Sequence, residues 1–427
     1  MTNKSSLDEE AEPSHRSAKT TYQNLDQEWG FATPTGTMEH VNYMQQYSQL
    51  YFCRLVEMRN SFERACHFDR IPVSQLPSGQ VSWVVGIIFK QMPMKPTVLK
   101  SYADDIMLPV PELRLLNYTS DSDRVFVEDE SGRIECIFTS ADHKHELVTG
   151  MVVALQGTAR EDGYFYVDLE QLPPVCAPVP RPWSENTKTQ YVCFVSGINV
   201  SAPAAQLFLD YVTGCMRVDL DRVRSLTRIV IAGNLRGDRK LIDAYLTTLA
   251  SRVPVDLMPG AEDPANAAFP QQPWHRILLP QATAVNDSAN RLVRCSNPHA
   301  FTVNHCLFLG TSGQNVENIC RFSRITSSLD ALERLLESGH LAPTAPDTIA
   351  CTPQAERDPL VLRQTPHVFF AGNTDGFGCR KLILGGSEAQ TENSSRTVTL
   401  LSIPRFELRE TAVLLALPEL VAVPLHF

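Results

Sequence analysis

The sequence lacks any paired cysteine motif. Its 11 cysteines are scattered singly along 427 residues, and no two of them form a C-x-x-C pair. This spacing disfavours both a cysteine-based zinc site and a disulfide framework. Most of the cysteines lie in apolar runs, as Cys193 and Cys306 do, and are expected to be small buried hydrophobic residues.

Long apolar runs are also absent. No apolar stretch approaches the ~20 residues that a membrane-spanning helix needs. The first residues, MTNKSSLDEEAEPSHRSAKTTYQ, have no apolar core of the kind found in secretory signals. The sequence therefore predicts no membrane segment and favours a cytosolic or nuclear protein.

An excess of positive charge is missing as well. Lysine and arginine number 38 against 48 acidic residues, which gives a formal net charge of −10. A chain whose main task was to grip a phosphate backbone would be basic overall, so this balance favours protein partners. Hydrophobic residues make up 43% of the chain, enough for a sizeable core spread over two or three domains.

The N-terminal part divides into two segments. Residues 1–38 are polar and show no periodicity, which predicts a disordered tail. Residues 39–70 follow, and apolar side chains from Met44 to Phe62 recur there at spacings of three and four. That spacing predicts a helix with one apolar stripe, packed on a neighbouring domain.

Short β-type runs dominate residues 71–182. Residues 123–138 read as a hairpin with its turn at residues 129–132, and residues 147–172 read as a second hairpin. About five strands with hairpin turns in some 100 residues favour a small Greek-key barrel of the OB-fold type. A proline-rich linker is predicted to end this domain.

Apolar strands alternate with amphipathic helices over residues 190–427. Several strands end in a glycine followed by polar residues, as in YVCFVSGINV, RIVIAGNLRG and HVFFAGNTDGF. The alternation predicts a layered α/β domain, so the chain as a whole is expected to be an α/β multidomain protein. In such folds, ligands gather at the loops that follow the strands.

Four of these loops carry polar side chains: residues 196–198, 233–235, 260–263 and 372–375. Their order and flanking residues resemble the calcineurin-like metallophosphoesterases. That family has the motifs D-x-H, G-D, G-N-H-[D/E], an isolated His and G-H-x-H at corresponding points. Two neighbouring divalent ions need a bridging carboxylate and several imidazole or carboxylate ligands.

The first two loops have lost these ligands. The resemblance places Ser196 where the family has Asp, and Ile198 where it has His. Asn234 stands in place of the bridging Asp, and a neutral amide does not offset the charge of two cations. His340 is the candidate for the isolated His of the family.

The other two loops show matching losses. Ala261 stands for the Asn ligand, Glu262 for the catalytic His, and Asp263 keeps the acidic position. In the last loop, Asn373 and Asp375 replace both histidines. We therefore expect a degenerate phosphoesterase pocket with no catalytic residue, no metal ion and no cofactor. Solvated loops that hydrogen-bond to their own turns are the expected alternative use of these side chains.

A narrower resemblance covers residues 43–427. The stretches MPGAEDPANAAFPQQPWH, FLGTSGQNVENI, APTAPDT and HVFFAGNTDGFG occur in an order that resembles the small (B) subunits of eukaryotic DNA polymerase delta. The barrel stretches VVGIIFKQMPMKP and LVTGMVVALQG are similar too. The resemblance implies an OB-fold joined to an inactivated calcineurin-like phosphoesterase domain, a layered β-sandwich flanked by helices.

The resemblance also implies a function. Such a subunit is a non-catalytic nuclear scaffold for DNA replication and repair. It holds the cysteine-rich C-terminal domain of the catalytic subunit and binds the third subunit, through which the assembly reaches the sliding clamp. It can also serve polymerase zeta. Contact with DNA is expected to be weak or indirect.

Two other functions stay open at this point. An active phosphodiesterase or nuclease with variant ligands would use Glu262, Asp263, Asp375 and His340. A single-strand-binding OB module would need a basic groove, yet the hairpin at residues 123–138 is acidic, and alternation is expected to bury its Phe126 and Phe138. These features disfavour single-strand binding.

Trp274 and His275 follow a proline in a loop. An exposed tryptophan is often an anchor for a partner protein. The pair is therefore a candidate partner contact, with partial burial of Trp274 as the alternative.

Overall fold

The computed structural model describes residues 20–34, 44–65, 68–96, 115–139, 141–173, 188–216, 218–284, 291–354, 356–384 and 397–427. The strands are β1 (Tyr22–Asn24), β2 (Val81–Gln91), β3 (Arg124–Glu128), β4 (Arg133–Phe138), β5 (Val152–Ala159), β6 (Tyr164–Gln171), β7 (Gln190–Val195), β8 (Leu226–Ala232), β9 (Val255–Met258), β10 (Leu292–Arg294), β11 (His299–Val303), β12 (Cys306–Thr311), β13 (Val368–Thr374), β14 (Gly378–Ile383), β15 (Thr397–Pro404), β16 (Thr411–Leu417) and β17 (Val421–His426). The helices are α1 (Asp26–Trp29), α2 (Tyr47–Ala65), α3 (Ala141–Glu146), α4 (Pro203–Thr213), α5 (Leu220–Arg224), α6 (Arg239–Arg252), α7 (Pro280–Ala284), α8 (Gln314–Phe322), α9 (Ser328–Glu337) and α10 (Phe406–Arg409).

A closed five-stranded barrel contains β2 to β6 in the order β2-β3-β4-β6-β5. Both predicted hairpins are confirmed, since β3 pairs antiparallel with β4 and β5 with β6. The barrel closes through β2, which pairs with β3 on one side and β5 on the other. Gly86 lies at this crowded point, where an added Cβ would come within 2.6 Å of the Glu128 carbonyl oxygen. Closure leaves none of these five described strands with an unpaired edge.

The outer face of the barrel carries one side chain that was expected inside. Val125 and Val127 fill the interior, so Phe126 between them points outward and is only partly buried. Phe138 is two residues after the buried Cys136, and it packs partly buried against the core. The expectation of burial was wrong for Phe126, because an alternating strand fits two phases and the compact valines fit the narrow barrel interior.

Two six-stranded sheets lie beyond the barrel. Their orders are β1-β11-β12-β13-β15-β14 and β10-β9-β8-β7-β16-β17. The sheets stack face to face, and the Phe194 ring from one sheet lies 6.1 Å from Phe308 and 5.0 Å from Phe370 of the other. Strands buried on both faces read as continuous apolar runs, which is why β12 and β13 are so hydrophobic.

Helices cover the outer faces of both sheets. Side chains of α4 and α6 pack on β7, β8 and β9, and side chains of α8 and α9 pack on the other sheet. The result is a helix–sheet–sheet–helix sandwich joined to a barrel. This architecture confirms the fold class expected from the sequence. No helix among the described residues is long and apolar enough to cross a membrane.

Residues 20–34 are ordered on the first sheet. The strand β1 pairs with β11, and the buried Asp26 accepts N–H bonds from Ala300 at 2.8 Å and Ser296 at 3.1 Å. Phe31 is fully buried. The prediction of a disordered tail is therefore wrong for these residues, and residues 1–19 and 35–38 lie outside the described ranges. The sequence pattern missed them because their partners lie some 270 positions further along the chain.

The helix α2 packs where the barrel meets the sandwich. Arg54 on this helix is fully buried, and its Nε lies 2.7 Å from Asp358 Oδ2. Its Nη atoms donate to the carbonyl oxygens of Gly150 (3.1 Å), Pro343 (2.7 Å) and Ala345 (2.7 Å). One side chain thus joins the helix, a barrel loop and two loops of the sandwich region.

A second buried cation joins the same two regions. Lys90 of β2 donates to the carbonyl oxygens of Leu147 at 3.3 Å and Phe322 at 3.4 Å, and it lies 3.7 Å from Asp123. Burial lowers the pKa of Lys90 to about 8, although Asp123 opposes this shift. Phe322 ends α8, so this contact also crosses from barrel to sandwich.

Candidate functional site

The ends of β7, β8, β9 and β13 place four polar loops close together. Gly233 makes this approach feasible: its φ is +83°, and an added Cβ would lie 2.7 Å from Ser312 Cβ and 2.8 Å from Gly260 Cα. An added Cβ on Gly372 would lie 2.5 Å from the Ala232 carbonyl oxygen. The structure therefore brings together the loops that the sequence singled out. We call this group of loops the pocket.

Asp263 is a buried acidic residue that joins two loops of the pocket. Its carboxylate accepts backbone N–H bonds from Asn234 at 2.7 Å, Leu235 at 2.8 Å and Gly260 at 2.7 Å. Burial raises the pKa of Asp263 to about 6, although these three N–H groups favour the ionised form. The carboxylate is thus occupied in joining two loops, which leaves it poorly placed to ligate a metal ion.

Asn234 and Glu262 form a further bond between the same two loops. Asn234 has a φ of +59°, and its Oδ1 accepts the N–H of Glu262 at 3.1 Å. The Glu262 carboxylate pairs with the guanidinium of Arg236, which also bonds to Glu407 at 2.8 Å. A fixed guanidinium therefore supplies the positive charge beside these carboxylates.

Ser196 and Asn373 close the other side of the pocket. The Ser196 hydroxyl lies 3.1 Å from the Pro404 carbonyl oxygen and accepts the N–H of Asn373 at 2.8 Å. The Asn373 side chain donates to the carbonyl oxygens of Ala232 at 3.0 Å and Ser312 at 2.9 Å. Both side chains thus link neighbouring strand ends to one another.

The remaining predicted pocket residues differ in burial. Ile198 is fully buried in the core under α4 and α6. Ala261 is exposed, and it lines a cleft of ≈ 240 Å³ beside the pocket. Asp375 is exposed, and its main-chain oxygen accepts a bond from Arg409 Nε at 2.9 Å.

His340 does not join the pocket loops. Its Nε2 lies 2.9 Å from Asp358 Oδ2, beside Arg54 at the junction of barrel and sandwich. Burial and the nearby Arg54 lower the pKa of His340 to about 4, so the ring is neutral at pH 7. The match of His340 to the isolated histidine was wrong, because spacing alone did not distinguish it from a buried structural histidine. Ser312, which follows β12, lies in the pocket instead.

A network of amide side chains in the pocket escaped the sequence analysis. Asn297 Nδ2 lies within hydrogen-bond distance of Gln271 Oε1 (2.7 Å), Ser312 Oγ (2.7 Å) and Gln314 Oε1 (2.9 Å). Gln271 also donates to the Gly260 carbonyl oxygen at 3.2 Å. The Pro-Gln-Gln-Pro run around Gln271 is the sequence feature that could have pointed to this network. The structure explains the run, because Gln271 is one of the members of the network.

One group of metal-type ligands lies elsewhere in the part of the chain that the structure describes. Asp26, Cys295 and His299 are fully or nearly fully buried, with possible ligand atoms within 4.8 Å of one another. Asp26 is already bonded to His299 Nδ1 at 2.7 Å, and burial raises the pKa of the Cys295 thiol to about 12. A thiol that stays protonated is a poor metal ligand. The group contains a buried ion pair between Asp26 of α1 and His299 of β11.

Comparison with known proteins extends over both regions of the chain. Residues 46–169 match the OB-fold domain family of DNA polymerase delta subunits, and residues 192–379 match the family of B-type subunits of DNA polymerases alpha and epsilon. The DNA polymerase delta small subunit of Arabidopsis thaliana is 35% identical over 433 residues, covering 93% of each chain. The chain belongs to the DNA polymerase delta small subunit family.

Other members of the DNA polymerase delta small subunit family agree. The small subunit of Oryza sativa subsp. japonica is 33% identical and covers 95% of this chain and 97% of its own. The small subunit of Saccharomyces cerevisiae is 26% identical and covers 89% of each chain. The resemblance found in the sequence motifs is therefore confirmed, and the family is one of polymerase accessory subunits.

The candidate partner contact at residues 274 and 275 divides into two cases. Trp274 is 2% exposed and packs in the core with the helices α4 and α6, so of the two alternatives for this residue the structure has burial and not an exposed anchor. His275 is exposed and stays a prediction. The apolar ring is buried because its loop folds against β10, where Arg294 holds the Trp274 carbonyl oxygen at 2.8 Å.

Proposed function

We propose that this chain is a non-catalytic scaffold subunit of a nuclear DNA polymerase delta complex acting in replication and repair. It holds the cysteine-rich C-terminal domain of the catalytic subunit and binds the third subunit, through which the complex reaches the sliding clamp. The same chain serves polymerase zeta. The relatives named as DNA polymerase delta small subunits support the assembly.

The main support for a non-catalytic role is that the polar side chains of the pocket are engaged in bonds within the protein. Asp263, Asn234, Ser196 and Asn373 bond to backbone groups of neighbouring loops, and Glu262 pairs with Arg236. Such a pocket offers two divalent ions no bridging carboxylate and no imidazole pair. The function of these loops is to hold strand ends in fixed positions.

A scaffold needs a rigid body, and the barrel–sandwich junction supports one. We propose domain limits of 71–182 for the OB-fold and 190–427 for the inactive phosphoesterase domain, with residues 39–70 packed on both. The buried contacts of Arg54 and Lys90 cross this division. Fixed surfaces on two joined domains suit simultaneous docking of two partners, whose obligate interfaces commonly bury about 2,000 Å² or more.

The barrel surface favours packing over single-strand binding. Arg133 lies over the rings of Phe89 at 4.2 Å and Phe126 at 4.7 Å, where a base would have to stack. Arg133 pairs with Glu128 and Arg124 with Glu135, so both guanidinium charges are already balanced. A barrel of this kind contacts DNA weakly or only through its partners.

The test combines binding with hydrolysis. The purified chain is mixed with the catalytic subunit's C-terminal domain and, separately, with the third subunit, and each mixture is run on a size-exclusion column. We expect a stable complex with each. Failure to form either complex would contradict the scaffold function.

A hydrolysis assay tests the non-catalytic role independently of binding. The pure chain is incubated with bis(p-nitrophenyl) phosphate and manganese, with Asp375→Ala as the matched variant. We expect no turnover by either protein. Manganese-dependent turnover that is lost in Asp375→Ala would instead support a phosphodiesterase with variant ligands.

A further inference from the structure

A group of four arginines lies at one edge of the second sheet. Arg252 ends α6, Arg276 lies in the short 3₁₀ turn of residues 276–278, and Arg291 and Arg294 flank or belong to β10. Arg252 and Arg276 are exposed, whereas Arg291 and Arg294 are half-buried. We call these four residues the arginine patch.

Main-chain contacts hold the arginine patch together. Arg294 Nη1 donates to the Trp274 carbonyl oxygen at 2.8 Å, and Arg276 follows Trp274 by two residues. Arg291 Nη1 donates to the Arg252 carbonyl oxygen at 3.2 Å. Burial and the nearby charge of Arg276 lower the pKa of Arg294, so two guanidinium groups of the patch are close enough to repel.

No carboxylate within the described residues balances this charge. None of the four arginines forms an ion pair with a described acidic residue, whereas Arg236 and Arg380 elsewhere each pair with two glutamates or aspartates. The chain has ten more acidic than basic residues, so acidic side chains are plentiful as partners for its arginines. Four guanidinium groups at one edge, none with an acidic partner among the described residues, are therefore suited to an external anionic group.

An exposed apolar side chain identifies the kind of anion. Ile277, between Arg276 and the end of the same turn, is 74% exposed. A phosphate backbone offers little apolar surface for it, whereas a protein segment can cover it. Arginine is enriched at protein interfaces, and the buried centre of an interface is more apolar than the rest of the surface.

We propose that the arginine patch docks an acidic segment of a partner subunit, with Ile277 packed against an apolar side chain of that segment. This inference rests on the proposed scaffold function and locates one of its docking surfaces. Arg252 and Arg276 supply exposed charge, and Arg291 and Arg294 supply guanidinium groups already held in place by the main chain.

The experiment compares three full-length variants with wild type. The patch variant is Arg252→Glu with Arg276→Glu, both at exposed positions. The matched control is Arg239→Glu with Lys240→Glu, which makes the same charge change at the exposed opposite end of α6. A third variant, Ile277→Ser, removes the apolar contact without changing charge. Circular dichroism and thermal unfolding first establish that each variant is folded.

Isothermal titration calorimetry then measures Kd for the catalytic subunit's C-terminal domain and for the third subunit at 50 and 200 mM salt. For one of the two subunits, we expect the patch variant to raise Kd about 30-fold or more at low salt, with a weaker salt dependence, because opposed charges are replaced by like charges. Ile277→Ser should raise the same Kd about 5-fold or more. The control should stay within about threefold of wild type, since its charges lie outside the interface.

Fluorescence anisotropy with a labelled 30-nucleotide single strand and its duplex separates nucleic acid from protein. Unchanged Kd values for both subunits in the patch variant would overturn the proposal. A loss confined to oligonucleotide binding would overturn it too, and would assign the patch to phosphate. If wild type binds neither subunit, the scaffold function itself fails, which is a distinct result.

Discussion

Replacing Arg54 by methionine should strongly destabilise the barrel–sandwich junction. Methionine keeps much of the length of the side chain but removes the guanidinium. Asp358 then loses its ion-pair partner at 2.7 Å, and three buried carbonyl oxygens lose a donor. Both partners of the pair are fully buried, so water does not replace what is lost.

The magnitude follows from these contacts. A hydrogen bond to a charged group contributes about 1.5–3 kcal/mol, but bonds made by one side chain are not additive. Breaking a buried ion pair from one side costs about 3–5 kcal/mol, because the remaining charge stays desolvated. Burial alone would raise the pKa of Asp358, yet Arg54 and His340 hold it well below its ordinary value, so the carboxylate is charged at neutral pH. We therefore expect a loss of about 3–5 kcal/mol at pH 7.

The assay is urea unfolding followed by circular dichroism, together with amide hydrogen exchange around residues 148–151 and 343–345. Arg363→Met is the matched control. Arg363 pairs at 2.9 Å with Glu57, which lies on α2 as Arg54 does, but the two side chains of this pair are 39% and 32% exposed. That change should cost about 0–1 kcal/mol. A loss for Arg54→Met no larger than that of the control, or unchanged exchange at the junction, would refute the reasoning.

Three further predictions concern glycine, carboxylate and histidine positions. Gly150→Ala should cost about 2 kcal/mol or more by urea unfolding, since φ is +91° and the new Cβ would lie 1.9 Å from the Pro343 carbonyl oxygen. Gly163→Ala, with φ +84° and nothing within 4 Å, should cost only the backbone strain of about 1 kcal/mol, and equal losses would contradict the steric argument. Asp263→Asn should lower the free energy of unfolding by about 2–3 kcal/mol, because an amide offers one acceptor oxygen where the carboxylate receives three N–H bonds. The control, Asp375→Asn at an exposed position, should leave the free energy of unfolding unchanged. Burial lowers the pKa of His299, but Asp26 and Asp256 outweigh this effect and raise the pKa well above its ordinary value. The protonated His299 therefore stabilises the folded state. This stabilisation is fully present below about pH 6.5 and is lost as pH rises through the folded-state pKa. His299→Gln should therefore lower the thermal midpoint most at neutral pH and less at alkaline pH, and a gap that widens on the alkaline side would contradict this sign.

The sequence predicted the parts of the fold that local pattern encodes. The hairpins of β3–β4 and β5–β6 were found because turn residues separate two alternating runs. The sandwich strands were found because burial on both faces leaves a continuous apolar run. The loop positions of Asn234 and Asp263 followed, since they come directly after such strands.

Contacts between distant residues were not predictable in this way. His340 has the spacing of a ligand and the environment of a core histidine, and only the position of Asp358 distinguishes the two. Trp274 in a proline-flanked loop is typical of an exposed anchor, but the fold buries it. The amide network of Asn297, Gln271 and Gln314 joins three separate loops, so no window of sequence contains it.

The sequence by itself determined the family, the barrel-and-sandwich architecture and the residue types that follow the strand ends, because these depend on residue identity and on periods of a few residues. Only the tertiary structure decided what the remaining polar side chains do. Asp263 joins two loops, Arg54 joins the barrel to the sandwich, and residues 20–34 complete a sheet. Each of these roles depends on a partner far away in the chain, and a polar group's energy depends on whether burial gives it that partner.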